Sequence, residues 1–150
     1  MFDKTKILPI SCDHGGFEMK EFLKEQLLSL GYNMKDFGTF SEDSIDYPDF
    51  IHPLASAINK GEFDLGIILC GSGNGAQMTA NKYENVRAGL CWSVEQAKLT
   101  RLHNNANILS LPGRFVSLDL GLEIAKTFLA TDFEGGRHQM RVEKISKTIK

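Results

Sequence analysis

Leu65-Gly66-Ile67-Ile68-Leu69-Cys70 runs straight into the turn Gly71-Ser72-Gly73-Asn74-Gly75. The first six residues are a short unbroken apolar run, which suits a strand covered on both faces. The glycine turn ends it, and a helix to about residue 82 follows. A strand, a tight turn and a helix form one βα unit. Strands buried on both faces belong to parallel sheets with helices on either side.

The same alternation extends in both directions. Upstream, residues 6–11 read as a first strand, and Met19, Phe22, Leu23, Leu27 and Leu30 form a helical stripe ended by Gly31. Residues 32–37 read as a second strand, residues 38–46 as a loop, and Pro48 as a helix start. Ile51, Leu54, Ala55 and Ile58 mark that helix's buried face, and Gly61 ends it. Downstream, residues 86–91 read as strand four. Ser93-Val94-Glu95-Gln96 has capping-box spacing and opens a helix to about residue 102. Residues 107–111 read as strand five. Ser117 caps a helix carrying Leu120, Ile124 and Phe128, and a last helix starts at Gly136 or Arg137 and runs nearly to the end. No internal repeat or linker interrupts the pattern. Five units over residues 1–150 predict one α/β domain, a three-layer α/β/α sandwich on a five-stranded parallel, Rossmann-like sheet, plus a C-terminal helix.

Composition narrows the function. Lys and Arg number 17 against 19 Asp and Glu, too balanced for a nucleic-acid binder working by bulk charge. Hydrophobic residues at 42% and charged residues at 24% describe a soluble globular chain, with no apolar stretch of membrane-spanning length and no secretory signal. Three cysteines, Cys12, Cys70 and Cys91, make no disulfide framework, so a reducing cytoplasmic setting is expected.

Ligands of open parallel sheets bind beyond the carboxyl ends of the strands. The residues expected there are Cys12-Asp13-His14-Gly15-Gly16, Gly38-Thr39, Cys70 with its glycine turn, Cys91-Trp92 and Pro112-Gly113-Arg114. Gly71, Gly73 and Ala76 formally satisfy G-x-G-x-x-G/A, but they follow the third strand and strand four ends without an acid, unlike a dinucleotide fingerprint. The turn then has two readings: bared N–H groups that cradle an anion, or a turn using glycine for packing alone. Cys70, at a strand end before a helix N-terminus, is favoured as a thiolate and points to chemistry; Cys12 and Cys91 read as small core residues. Arg137 and Arg141, spaced one helical turn apart, suit a phosphate dianion or an ordinary solvated face. His103 reads as a capping histidine. No HExxH, CxxC or dense His/carboxylate cluster is visible, so neither metal nor cofactor is expected, and no G-x-S-x-G elbow supports a serine hydrolase.

CDHGGF (12–17), DYP (46–48), ILCGSGNG (68–75), ANK (80–82), RLHNNANIL (101–109) and EGGRHQMRV (134–142) together resemble the ribose-5-phosphate isomerase type B family, which also includes galactose-6-phosphate isomerase subunits. The resemblance implies a sheet order of 2-1-3-5-4 and a metal-free aldose–ketose isomerase working through an enediolate. It implies homodimers or dimers of dimers with sites between subunits. It makes Cys70 the base that moves a proton between C2 and C1, in the family branch lacking a Glu at the Ala76 position. It gives the enediolate oxygen to Ser72 and the amides of Gly71, Gly73, Asn74 and Gly75, ring opening to His103, and the sugar hydroxyls to Asp13. Tyr47 and Asn104 match substrate contacts; His14, Arg114, Arg137 and Arg141 match the phosphate-binding set. Asn105 and Trp92 depart from the common pattern without removing any of these groups. Allose 6-phosphate and galactose 6-phosphate remain alternative substrates, and a non-catalytic sugar-phosphate- or nucleotide-binding domain is the alternative of another class.

Overall fold

A computed structural model describes residues 1–147. The strands are β1 (Ile7–Cys12), β2 (Asn33–Asp36), β3 (Gly66–Cys70), β4 (Ala88–Leu90) and β5 (Ile108–Pro112). Between and after them come α1 (Phe17–Ser29), α2 (Tyr47–Asn59), α3 (Asn74–Ala80), α4 (Val94–Asn104), α5 (Leu118–Ala130) and α6 (Gln139–Ile145). All four strand pairings are parallel, in the order β2-β1-β3-β5-β4, as the family resemblance implies. No helix among the described residues is long and apolar enough to cross a membrane.

Two apolar layers cover the sheet. Met19, Leu23 and Leu27 of α1, Ala97 of α4 and Ile124, Ala125 and Phe128 of α5 pack on one face. Ile51, Leu54, Ala55 and Ile58 of α2 and Ala76 and Ala80 of α3 pack on the other. Side chains alternate along a strand, so β3 sends Ile67 and Leu69 to the first layer and Ile68 and Cys70 to the second. Cys12 and Cys91 belong to the first layer. The three thiols, all free and buried, thus divide between faces.

Local signals explain the helix starts. The Ser93 hydroxyl accepts from the Gln96 N–H while the Gln96 side chain returns to the Ser93 N–H, completing the expected capping box. Ser117 caps α5 through the Leu120 N–H. Helix α2 begins one residue before Pro48 and continues through Pro53. Strand four is shorter than the apolar run predicts, because only Ala88–Leu90 pairs with β5 at the sheet edge. Cys12 closes β1 instead of following it.

The C-terminal segment departs from one regular helix. Gly135 and Gly136 take φ of 69° and 54°, left-handed values that forbid a straight α-helical entry. A 3-10 turn over Gly136–His138 intervenes before α6. Arg137 therefore sits in that turn and Arg141 in α6, so the two do not share one regular α-helical face, contrary to the spacing argument. Residues 148–150, the end of the predicted last helix, lie outside the described residues.

Candidate active site

β1 and β3 are neighbours, yet their following helices go to opposite faces, α1 to one and α3 to the other. Such a switch opens a crevice at the carboxyl edge. Three strand-end turns meet there at very short range. A Cβ on Gly15, after β1, would lie 2.8 Å from the Gly71 nitrogen. One on Gly113, after β5, would lie 2.8 Å from the Gly15 carbonyl oxygen. The Gly113 N–H donates to the Cys70 carbonyl at 2.9 Å, and the Arg114 N–H to the Gly71 carbonyl at 3.0 Å. Glycine is needed in these turns because backbone packs on backbone.

This edge collects one group of the expected residues. Asp13, buried at 7% exposure, accepts the Gly16 N–H at 3.2 Å. His14 Nδ1 accepts the Ile45 N–H at 3.2 Å, which leaves Nε2 as the ring's other polar atom. Arg114 is exposed, and its side chain lies beside Gly71. Tyr47, at the start of α2, lays its ring over Gly75, where a Cβ would come within 2.6 Å of Cζ. Gly73 takes φ 77° to turn the chain into α3, and the Ser110 hydroxyl holds its carbonyl at 2.8 Å. Ser72 Oγ accepts the Asn74 N–H at 3.3 Å.

Cys70 is 4% exposed and ends β3 under this turn. Its Sγ accepts the Gly73 N–H at 3.1 Å. For Cys12 and Cys91, burial in the apolar layer pushes each thiol up to about 12. At neutral pH those two stay protonated, in keeping with their reading as core residues.

The second group lies elsewhere. Helix α4 starts beyond the carboxyl end of β4 and returns toward the start of β5, so its last residues, His103 and Asn104, approach the amino edge of the sheet. Cys70 pairs with Pro112 at the end of β5, and Gly66 with Ile108 at its start. At about 3.3 Å per residue, those edges are roughly 13 Å apart. A cleft of about 360 Å³ at the α4 terminus is lined by His103, Asn104, His138, Arg141, Val142 and Ile145, and by no residue of the glycine turn. Arg137 and Arg141 are exposed. Within one chain the structure brings together Asp13, His14, Tyr47, Cys70, the glycine turn and Arg114, and separately His103, Asn104 and Arg141, with Arg137 next to the latter group in the chain.

The expectation that no His/carboxylate cluster exists needs correction. His103, Glu134 and His138 bring ligand-type atoms within 4.8 Å of one another. They come from α4 and the segment leading into α6, where the Glu134 N–H donates to the Leu102 carbonyl at 3.1 Å. Glu134 and His138 received no role from the sequence. Both stand in the EGGRHQMRV motif, but nothing in linear spacing joins that motif to His103.

Comparisons with known proteins agree with this architecture. Residues 8–145 match the family model described as Ribose/Galactose Isomerase. Ribose-5-phosphate isomerase B of Escherichia coli is 40% identical over 141 residues, covering 94% of this chain and 95% of the relative. The crystal structure of a ribose 5-phosphate isomerase from Thermotoga maritima superposes with a TM-score of 0.92 at 47% identity, covering 94% of this chain and 97% of that one. The Mycoplasma genitalium ribose-5-phosphate isomerase B structure, with bound ribulose-5-phosphate, gives 0.90 at 42% identity over 93% of each chain. With all of the sheet but Ile7 and both residue groups inside the matched span, this chain belongs to the ribose/galactose isomerase family.

Proposed function

We propose that this chain interconverts D-ribose 5-phosphate and D-ribulose 5-phosphate, at sites completed by a second copy of itself. The observation that carries the chemistry is Cys70: a thiol at the topological switch point, beneath a glycine turn whose Gly73 N–H reaches the sulfur. A binding module has no need of a thiol there. The relative crystallised with ribulose-5-phosphate supports the substrate class.

In this reading the Cys70 thiolate takes the C2 proton of the open-chain aldose. The electron pair moves toward C1 and the carbonyl oxygen becomes an enediolate oxygen, which the amides of Gly71, Gly73, Asn74 and Gly75 and the Ser72 hydroxyl stabilise as preorganised donors. Return of the proton from sulfur to C1, with transfer of the O2 hydroxyl proton to O1, leaves a carbonyl at C2 and a hydroxyl at C1 and gives the ketose. No metal or cofactor enters these steps. Asp13 and Tyr47 hold sugar hydroxyls. His14 and Arg114 of one copy, with Arg137 and Arg141 of the other, hold the phosphate, since forked guanidiniums match its geometry. His103 and Asn104 of the second copy face the sugar ring, and His103 opens it by moving a proton to the ring oxygen. The two-group division within one chain supports a homodimer, alone or paired into a dimer of dimers. Three free thiols suit a cytoplasmic setting.

The test is turnover of ribose 5-phosphate, allose 6-phosphate and galactose 6-phosphate by the purified protein. Ribose 5-phosphate should dominate kcat/KM; a hexose phosphate preferred over it would refute the substrate. Cys70→Ala should cut kcat by at least the roughly 10²–10⁴-fold typical of general acid–base groups while the thermal melt is kept. Near-wild-type kcat would refute the base.

A further inference from the structure

Glu134 and His138 take part in no step above, yet they surround the one group assigned to ring opening. The imidazoles of His103 and His138 stack with centroids 4.2 Å apart and planes 12° from parallel. His138 is 6% exposed, and its Nε2 is buried with no hydrogen-bond partner. His103 is about one-third exposed, with Nε2 3.7 Å from Glu134 Oε2. Among the described residues the His103 ring makes no hydrogen bond, and the stack is the contact that covers its face.

A metal ion does not account for this arrangement. Lone pairs on two near-parallel rings lie in parallel planes and do not converge on one point about 2.0–2.1 Å from both nitrogens. Arg137 and Arg141 add positive charge beside the pair, which disfavours a cation. A neutral plate fits better. A proton on His138 Nε2 would be buried without an acceptor, which disfavours the doubly protonated, charged ring. Burial, and then the positive charge of His103, Arg137 and Arg141, holds His138 below the usual histidine range, against the pull of Glu134.

We infer that His138 is the positioning residue of His103: a buried, uncharged ring whose face fixes the plane of the ring-opening imidazole, while Glu134 faces its Nε2. The inference rests on the reading of His103 as the ring-opening group. The arrangement leaves the transferable proton to His103 and removes the torsional freedom that would otherwise spread that proton over many directions.

The experiment compares ribose 5-phosphate with its 4-deoxy analogue, an aldehyde that cannot close the furanose ring and so needs no opening. His138→Ala should lower kcat/KM on ribose 5-phosphate about tenfold, a part of the 10²–10⁴-fold that a positioned acid contributes, and leave the 4-deoxy analogue within about twofold. His138→Phe, which keeps a flat neutral ring, should restore most of the loss. His103→Asn is run beside them. If His103→Asn impairs both substrates equally, the ring-opening reading itself fails. If His103→Asn discriminates but His138→Ala impairs both substrates or neither, the positioning role is overturned. If His138→Phe discriminates as strongly as His138→Ala, the plate account is overturned.

Discussion

Cys70 and His103 provide a decisive test of the shared site, because each can be removed separately. Cys70→Ala and His103→Asn each abolish one required group, and each pure variant should be nearly inactive. The sheet edges that carry the two residue groups lie roughly 13 Å apart along β5 at about 3.3 Å per residue, and the cleft at His103 has no lining residue from the glycine turn, which is why the two groups are assigned to different copies. In a two-fold dimer containing one variant of each kind, one site receives both lesions and the other neither. Random pairing of equal amounts makes half the dimers mixed, so roughly a quarter of all sites are intact. Co-refolding the two variants, followed by a continuous ribulose 5-phosphate assay, should therefore recover about 25% of the wild-type rate at equal protein. The mixed species is counted by native mass spectrometry on differently tagged chains. If Cys70 and His103 of the same chain formed a site, every site would carry one lesion. Activity staying at the level of the single variants, with mixed dimers present, refutes the shared site.

Three further outcomes are expected. Replacing Arg137 or Arg141 with Ala should lower kcat/KM for ribose 5-phosphate about tenfold or more, the loss of a charged hydrogen bond of roughly 1.5–3 kcal/mol, while turnover of unphosphorylated ribose barely changes; equal losses on both sugars would make the arginines structural. Exhaustive chelation should leave activity intact, and loss restored by a divalent ion would overturn the proton-transfer scheme. Acid stability should depend on Asp36: burial alone would raise its carboxyl, but hydrogen bonds from Lys20 and Lys24, both to the same oxygen at 2.6 and 2.8 Å, and from the Gly38 N–H hold it below the usual range. A depressed folded value contributes stability above the unfolded value, lost as pH falls through the folded one. Asp36→Asn should thus lose stability at pH 7, toward the lower end of the roughly 3–5 kcal/mol for breaking a buried pair, since Lys20 keeps Glu21. Its urea midpoint should also fall less than the wild type's between neutral pH and about pH 3; an equal fall would remove Asp36 as the cause.

Much of this architecture is local and was legible along the chain. A strand covered on both faces must be apolar throughout, so Leu65–Cys70 declared a parallel sheet before any pairing was known. Caps at Ser93 and Ser117 were readable because their partners stand three residues away. The placing of Asp13, Cys70 and Arg114 at one edge follows from reading what comes after each strand. Even the separation of Cys70 from Cys12 and Cys91 had a sequence signature, the glycine turn that begins immediately after it. The order of strands and the roles of individual residues came instead from the family motifs.

Tertiary structure decided the rest, because it depends on contacts between segments far apart in sequence. Which layer each thiol enters follows from the strand order and register, and burial there keeps Cys12 and Cys91 protonated. The two adjacent glycines were visible in the sequence, but only the folded chain shows both at positive φ, with a 3-10 turn over Arg137 in place of a regular helix start. The stack of His103 on His138 could not be found from spacing, since it needs the segment after α5 to fold back on the end of α4. And because α4 runs antiparallel to its strands, the sequence places His103 on a helix end, but only the folded sheet puts that end across from Cys70.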